Sequence, residues 1–202
     1  SAVHIAVNNL MQDMQKVCSC KIVLCNKFDA QTYHENPRIV IATLPASEIC
    51  DIFPKELQLY IEKIKNAYGR FHWEAYFHKI IGNTLYIVGA DRRGTVFGIY
   101  DLCRQIGVSP WYFWADVPIH KKAFFELSTS YEKVDWPDVQ YRGIFLNDEE
   151  ELDAWAKAHT VDGTIGPCTY EKIYELLLRL KGNYIWPAMH VNCFNENPEN
   201  AK

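Results

Sequence analysis

Several function classes are excluded by what this chain does not contain. No apolar run approaches the roughly 20 residues of a membrane-spanning helix, so no membrane partner is expected. No long basic run occurs and the net charge is −4, which argues against nucleic acid as a partner. No C-x-x-C pair is present among the seven cysteines, and the number is odd. A structural zinc site and a full disulfide framework are therefore not expected, and buried free thiols are. There is no phosphate loop, no Ser–His–Asp or Cys–His nucleophile pattern, no internal repeat and no low-complexity segment. The amino terminus lacks the basic start and compact apolar core of a signal peptide. It runs directly into a helical pattern, as a chain beginning after such a peptide or inside a domain would.

What is present is a globular composition. In 202 residues, 49% are hydrophobic, enough for one large or two small cores. Aromatics make up 14%, including six Trp and twelve Tyr; beyond core packing, such rings suit stacking on sugar faces. Val3, Val7, Leu10, Met11, Met14 and Val17 predict a helix over residues 1–17. Strands are predicted at Lys21–Cys25 and Arg38–Leu44, and a helix over Pro54–Tyr68 ending at Gly69. Phe71–Ile80 and Thr84–Val88 read as a hairpin turning at Gly82-Asn83. Gly94–Ile106 reads as a helix closed by Gly107, and Lys122–Leu127 as a strand. Ser128–Asp138 reads as a connection between domains.

The most informative stretch follows. Tyr141–Leu146 is a short apolar run that stops at Asn147-Asp148-Glu149. Tyr170, Ile173, Tyr174, Leu177 and Leu180 give Thr169–Lys181 a strong amphipathic helical pattern, with Gly182 at the expected C-cap. Asn183–Trp186 reads as a second strand leading into Pro187-Ala188-Met189-His190. A strand–helix–strand unit implies a parallel sheet with a right-handed crossover. Ligands bind at the carboxyl ends of such strands, and those ends carry Asn147, Asp148, Trp186 and His190.

These residues also carry a resemblance. Tyr-Arg-Gly-Ile-Phe-Leu-Asn-Asp-Glu at 141–149, Gly166-Pro167, Leu-Lys-Gly-Asn-Tyr-Ile-Trp-Pro-Ala-Met-His at 180–190 and Asn197–Lys202 resemble the xylan α-1,2-glucuronidases of glycoside hydrolase family 115. Val88–Leu102 and Ile106–Pro118 are similar to that family's N-terminal domain. The resemblance implies an α/β fold: an N-terminal mixed-sheet α/β domain over 1–134, then at 135–202 the start of a (β/α)8 TIM barrel, truncated here. A single strand–helix–strand unit cannot close a sheet, so the chain is expected to be a fragment, inactive alone. The resemblance further implies inverting removal of α-1,2-linked (4-O-methyl)glucuronic acid from xylan. It implies no cofactor, xylan or a glucuronoxylo-oligosaccharide as partner, and a periplasmic or secreted parent. A homodimer of the full-length parent is compatible with it. The alternative is a non-catalytic carbohydrate-binding or barrel-docking domain.

Each candidate has two readings. Asn147-Asp148-Glu149-Glu150-Glu151 is either a solvated acidic start of a helix or the mouth of a site that needs paired carboxyls. The resemblance selects Asp148 as catalytic and Asn147 as substrate-binding, and selects neither Glu150 nor Glu151. The chain departs from the family at Glu150–Asp153, where an aromatic-glycine stretch is usual. Trp186, aimed by the following Pro187, and His190 are assigned to substrate; otherwise they are a buried Trp and a loop His. No second ligand sits at metal spacing around His190, so no metal is assigned. Asp91–Thr95 is either an anion cradle at a helix start or a turn. Trp111–Trp114 is either a sugar platform or an interdomain packing patch.

Overall fold

The computed structural model describes residues 1–20, 22–25, 36–45, 53–147, 149–190 and 192–201. They form two compact units, Ser1–Tyr112 with Val117–Asp138, and Phe113–Asp116 with Val139–Lys202.

The first unit is built on a mixed sheet of β1 (Arg38–Thr43), β2 (Tyr76–Ile81), β3 (Thr84–Gly89) and β4 (Glu132–Asp135), in the order β1-β3-β2-β4. β1 runs parallel to β3, whereas β2 is antiparallel to both β3 and β4. The β2–β3 hairpin pairs Ile81 with Thr84 across Gly82-Asn83, as the sequence predicts, and Gly82 takes the φ of 56° that a two-residue turn demands.

Helix α1 (Ala2–Cys18) buries Ala6, Leu10, Asp13 and Val17 at helical spacing. Helix α2 (Leu57–Lys63) is shorter than its pattern. With Ile64, its Leu57, Tyr60 and Ile61 pack with Ala42, Phe77 and Val88 of the sheet. Helix α3 (Arg92–Ile106) is buried over most of its surface, as expected for a helix covered on more than one side. It packs on β3 and on α1, where Asn9 donates to the Tyr100 hydroxyl at 2.8 Å. Gly98 lets it approach the sheet, since a Cβ there would lie 2.8 Å from Ile87 Cγ2. Gly107, at φ 113°, closes α3 as predicted. Buried His78 gives an Nε2–H to the Gly98 carbonyl at 2.9 Å, and its Nδ1 is hydrogen-bonded to the Tyr131 hydroxyl, also at 2.9 Å.

Three expectations fail here. Residues 22–25 and 122–127 form no strand; Lys21 lies outside the described residues. In the second segment the Lys122 side chain donates to the Ile106 carbonyl and its amide to the Val17 carbonyl, while Phe124 is exposed. The segment clamps helix ends instead of pairing. The fourth strand is Glu-Lys-Val-Asp, inside the stretch read as a connection. It has no apolar run to announce it, because an edge strand needs only one partner.

In the second unit, β5 (Gly143–Phe145) and β6 (Tyr184–Trp186) are parallel, pairing Gly143 with Tyr184 and Phe145 with Trp186. The crossover carries two helices, α4 (Glu149–His159) and α5 (Pro167–Arg179), where one was predicted. Ile165, Tyr170, Ile173 and Ala188 form the core, with Trp114, Leu146 and Ile185 against them. The predicted C-cap shifts by one residue. Lys181, at φ 60°, is the left-handed residue, and the Gly182 amide reaches back to the Leu177 carbonyl at 2.7 Å. Gly182 is needed for space, since a Cβ would lie 2.4 Å from Leu177 Cδ1.

Among the described residues no helix is long and apolar enough to cross a membrane. Cys18, Cys20, Cys25, Cys103, Cys168 and Cys193 are free thiols, but only Cys103 is buried, against the expectation of buried thiols generally.

Candidate functional site

Two sets of polar contacts hold the short parallel pair, one at each end. At the amino end, Arg142 donates through Nε and Nη2 to the Lys181 carbonyl at 2.9 and 2.7 Å, and through Nη1 to the Val139 carbonyl at 2.8 Å. The Arg142 amide donates to Asn183 Oδ1 at 3.1 Å, and Asn183 Nδ2 to the Gln140 carbonyl at 2.8 Å. Arg142 is thereby a structural residue that fixes strand register.

The carboxyl end is where a parallel α/β unit presents its ligand-binding groups. The Leu146 amide extends the ladder by donating to the Trp186 carbonyl at 3.0 Å. Along β5 and its continuation, residues 143, 145 and 147 are exposed while 142, 144 and 146 are partly covered. Asn147 therefore continues the exposed row that begins with Gly143 and Phe145. The facing row on β6 is Tyr184 and Trp186, both about half exposed. Phe145 and Trp186 rings lie 5.4 Å apart, and Tyr141 meets Tyr184 edge-on at 6.2 Å. One face of the pair is thus a continuous aromatic surface, and Trp186 is not the buried Trp of the alternative reading. His190 is exposed at the same end. Asp148 lies outside the described residues.

The loop after β6 is held from below. Pro187 has no amide hydrogen. The next three residues each have one, and all three are taken by side chains of the crossover helices. The Ala188 amide donates to the Tyr170 hydroxyl at 3.1 Å. The Met189 amide donates to Glu149 Oε1 at 2.8 Å, and the His190 amide to Oε1 and Oε2 at 3.0 and 2.8 Å. Glu149 is 6% exposed and Tyr170 0%. Burial pushes the Tyr170 phenol up to about 12. Asp153, one turn further along α4, accepts from Lys157 at 2.6 Å and Asn192 at 3.2 Å, which hold its carboxyl below the usual range.

The sequence missed Glu149 and the Tyr170 hydroxyl. Glu149 stood within the acidic run, but its being the buried acid among the run's described residues depends on the loop 40 residues on, which no local pattern shows. Replacing Tyr170 with Phe should strand the buried Ala188 amide at a cost of about 1–3 kcal/mol, read as a lower urea midpoint with an unchanged slope.

Two other candidates resolve as structure. Asp91 is the N-cap of α3: its carboxylate accepts from the Gly94 amide at 2.8 Å and the Glu74 amide at 2.6 Å. The place an anion would take is filled by the protein's own carboxylate, and a Cβ on Gly94 would lie 2.2 Å from the Ala75 carbonyl oxygen. Within Trp111–Trp114, Phe113 and Trp114 pack with Trp155 at 6.0 and 4.8 Å, and Trp114 Nε1 donates to the Lys172 carbonyl. The Tyr112 ring lies under Lys16 instead. The run is divided between two packing tasks and makes no single sugar platform. Among the described residues no three His, Cys, Asp or Glu side chains converge as metal ligands.

Comparison with known proteins gives the geometry a context. Residues 134–202 match the family described as Glycosyl hydrolase family 115. Over 98% of its length the chain is similar to a solved GH115 4-O-methyl-α-glucuronidase with specificity for decorated arabinogalactans, at 34% identity and a TM-score of 0.81. The resemblance read from the sequence thus holds along nearly all of the chain. The chain spans about a quarter of that relative's length (25%). A second solved structure, CpGH84D, is 12% identical with a TM-score of 0.49 over 90% of this chain and 31% of its own, too distant to carry an argument. No curated protein matches.

Proposed function

On its likeness to glycoside hydrolase family 115, we propose that this chain is a segment of an inverting glycoside hydrolase. The reaction is removal of α-1,2-linked glucuronic or 4-O-methylglucuronic acid side groups from xylan. β5 and β6 open its (β/α)8 barrel, and residues 1–134 form the domain that precedes it. The carrying observation is the carboxyl end of the β5–β6 pair. There Asn147, the aromatic surface ending in Trp186, and His190 are all exposed beside a buttressed loop. Aromatic faces suit the apolar faces of sugar rings. Amide and imidazole groups suit hydroxyls and a uronate carboxylate.

Inversion needs an acid and a base about 6.5–9.5 Å apart so that water fits between sugar and base. Asp148, which follows Asn147 in the sequence, is assigned to substrate binding or a catalytic assist, and the complementary carboxyl to the rest of the parent's barrel. Proton transfer by carboxyls, from the acid to the leaving oxygen and from water to the base, calls for no cofactor. A polymeric substrate places the parent in the periplasm or outside the cell. The solved relative's preference for decorated arabinogalactans supports a second reading, in which the same uronic acid is removed from that polymer.

The test compares three proteins: the full-length parent, the parent carrying Asp148→Ala, and the 202-residue chain. Each is incubated with aldouronic xylo-oligosaccharides and with decorated arabinogalactan, and released uronic acid is measured. The parent is expected to turn over one polymer. Asp148→Ala should lose about 100-fold or more, as removal of a positioned acid–base group does, and the short chain should release nothing. A folded parent that releases no uronic acid from either polymer would overturn the glycosidase reading and leave the carbohydrate-binding domain.

A further inference from the structure

The structure assigns Glu149 as the positioning residue that locks the His190 loop to the end of β5. The acidic run suggests a carboxylate at a helix start, where an acid ordinarily faces solvent or its own helix. Glu149 turns away from solvent. It opens α4, two residues after Asn147, and turns its carboxylate inward to 6% exposure. Both oxygens are used on the backbone beyond β6, at 2.8 Å to Met189 and at 3.0 and 2.8 Å to His190.

A carboxylate holding two successive amides defines a direction as well as a distance. The two N–H vectors must converge on one group, which restricts the backbone dihedrals of Met189 and His190. The Ala188 amide, held by Tyr170 at 3.1 Å, removes the remaining freedom on the strand side. Asn147 and His190 project from loops that would otherwise move independently. Glu149 couples them, because it is two residues from one and bonded to the other. These bonds are to the backbone of Met189 and His190, so it acts through the His190 loop. The part of the assignment that concerns turnover rests on the glycosidase reading above; the part that concerns the loop does not.

The chemistry also orders the variants. Glu149→Gln keeps one carbonyl oxygen, at the Oε1 place that both amides reach, and puts an amide N–H₂ in place of Oε2, so the His190 amide loses its 2.8 Å bond and faces a donor. Glu149→Ala frees both. Loops that hold substrate-contacting groups lose efficiency steeply when displaced by about 1 Å, on the order of 100-fold at the extreme.

The experiment makes Glu149→Gln and Glu149→Ala in the full-length parent and reads two quantities. Hydrogen exchange is followed at the Met189 and His190 amides. KM and kcat are measured on whichever uronic acid substrate the parent cleaves, well below the unfolding temperature. The expected result is slow exchange at both amides in the parent, faster exchange in Gln and fastest in Ala, while β2 and β3 amides are unchanged. KM should rise in the same order, by about 10-fold for Gln, with kcat falling less. A residue that merely stabilised the fold would lower the melting temperature without raising KM. Rapid exchange at both amides in the unmodified parent, or KM within threefold of the parent in both variants, would overturn the assignment. If the parent cleaves nothing, the glycosidase reading fails, and the exchange rates alone decide whether Glu149 holds the loop.

Discussion

Gly143→Ala should be among the most damaging single substitutions in the second unit. Gly143 opens β5 opposite Tyr184, and a Cβ built on it would lie 2.0 Å from the Tyr184 carbonyl oxygen, 2.6 Å from its carbonyl carbon and 2.9 Å from its Cβ. The oxygen and carbonyl carbon are backbone, so no rotamer change relieves the contact. The only escape is separation of β5 from β6, which would also strain the Arg142 and Asn183 bonds at the same end. Overpacking alone costs about 1–3 kcal/mol, and with loss of the strand pairing we expect about 4 kcal/mol. The measurement is urea unfolding followed by fluorescence of Trp114, Trp155 and Trp186, with exchange at the Ile144 and Ile185 amides. An unchanged midpoint would show that the strands part more easily than the close approach suggests. Loss of the second unit's signal while β2 and β3 amides stay protected is the expected result.

The second large effect is expected at Asp91. Its carboxylate serves two backbones: the Gly94 amide in the first turn of α3, and the Glu74 amide in the segment before β2. Glu74 has a φ of 57°, a left-handed conformation that a non-glycine residue holds only when its surroundings over-determine it. Its side chain is fully buried and bonded to Arg93 Nε at 2.9 Å. Asp91→Ala removes the cap, about 1 kcal/mol, and strands the Glu74 amide, about 1–3 kcal/mol. We expect a total of about 3 kcal/mol in urea unfolding, with Asp91→Asn losing about half of that because one acceptor remains. Equal loss in Asn and Ala would mean that the charge, and not the accepting geometry, is what matters.

Asp91 also shows how far the sequence could be read. Asp-Arg-Arg-Gly-Thr after a strand is correctly a helix start, because a capping acid and a run of helical spacing are local signals. Whether it cradles an anion depends on what occupies the amide donors, and that occupant is the Asp91 side chain shared with Glu74, 17 residues away. The same division runs through the fold. α1, the Gly82-Asn83 hairpin, α3 with its Gly107 cap, and the α5–β6 unit announced themselves through periodicity and turn residues. β4 did not, since Glu-Lys-Val-Asp becomes a strand only by adding to the edge of β2. Lys122–Leu127 had the strand-like composition but joins no strand, and Lys122 is held by Ile106 and Val17 instead.

Local sequence, then, determined α1, α3 and α5, where the hairpin turns, and that Asn147, Trp186 and His190 stand at the carboxyl ends of two parallel strands. These depend on contacts within a few residues or on the side-chain period of a single element. Tertiary structure alone decided the left-handed residue after α5, the second crossover helix, the filling of the α3 start by Asp91, and the inward turn of Glu149 onto Met189 and His190. Each of these rests on a steric or hydrogen-bonding partner supplied by a neighbouring element, and its position is undefined until the chain has folded around it.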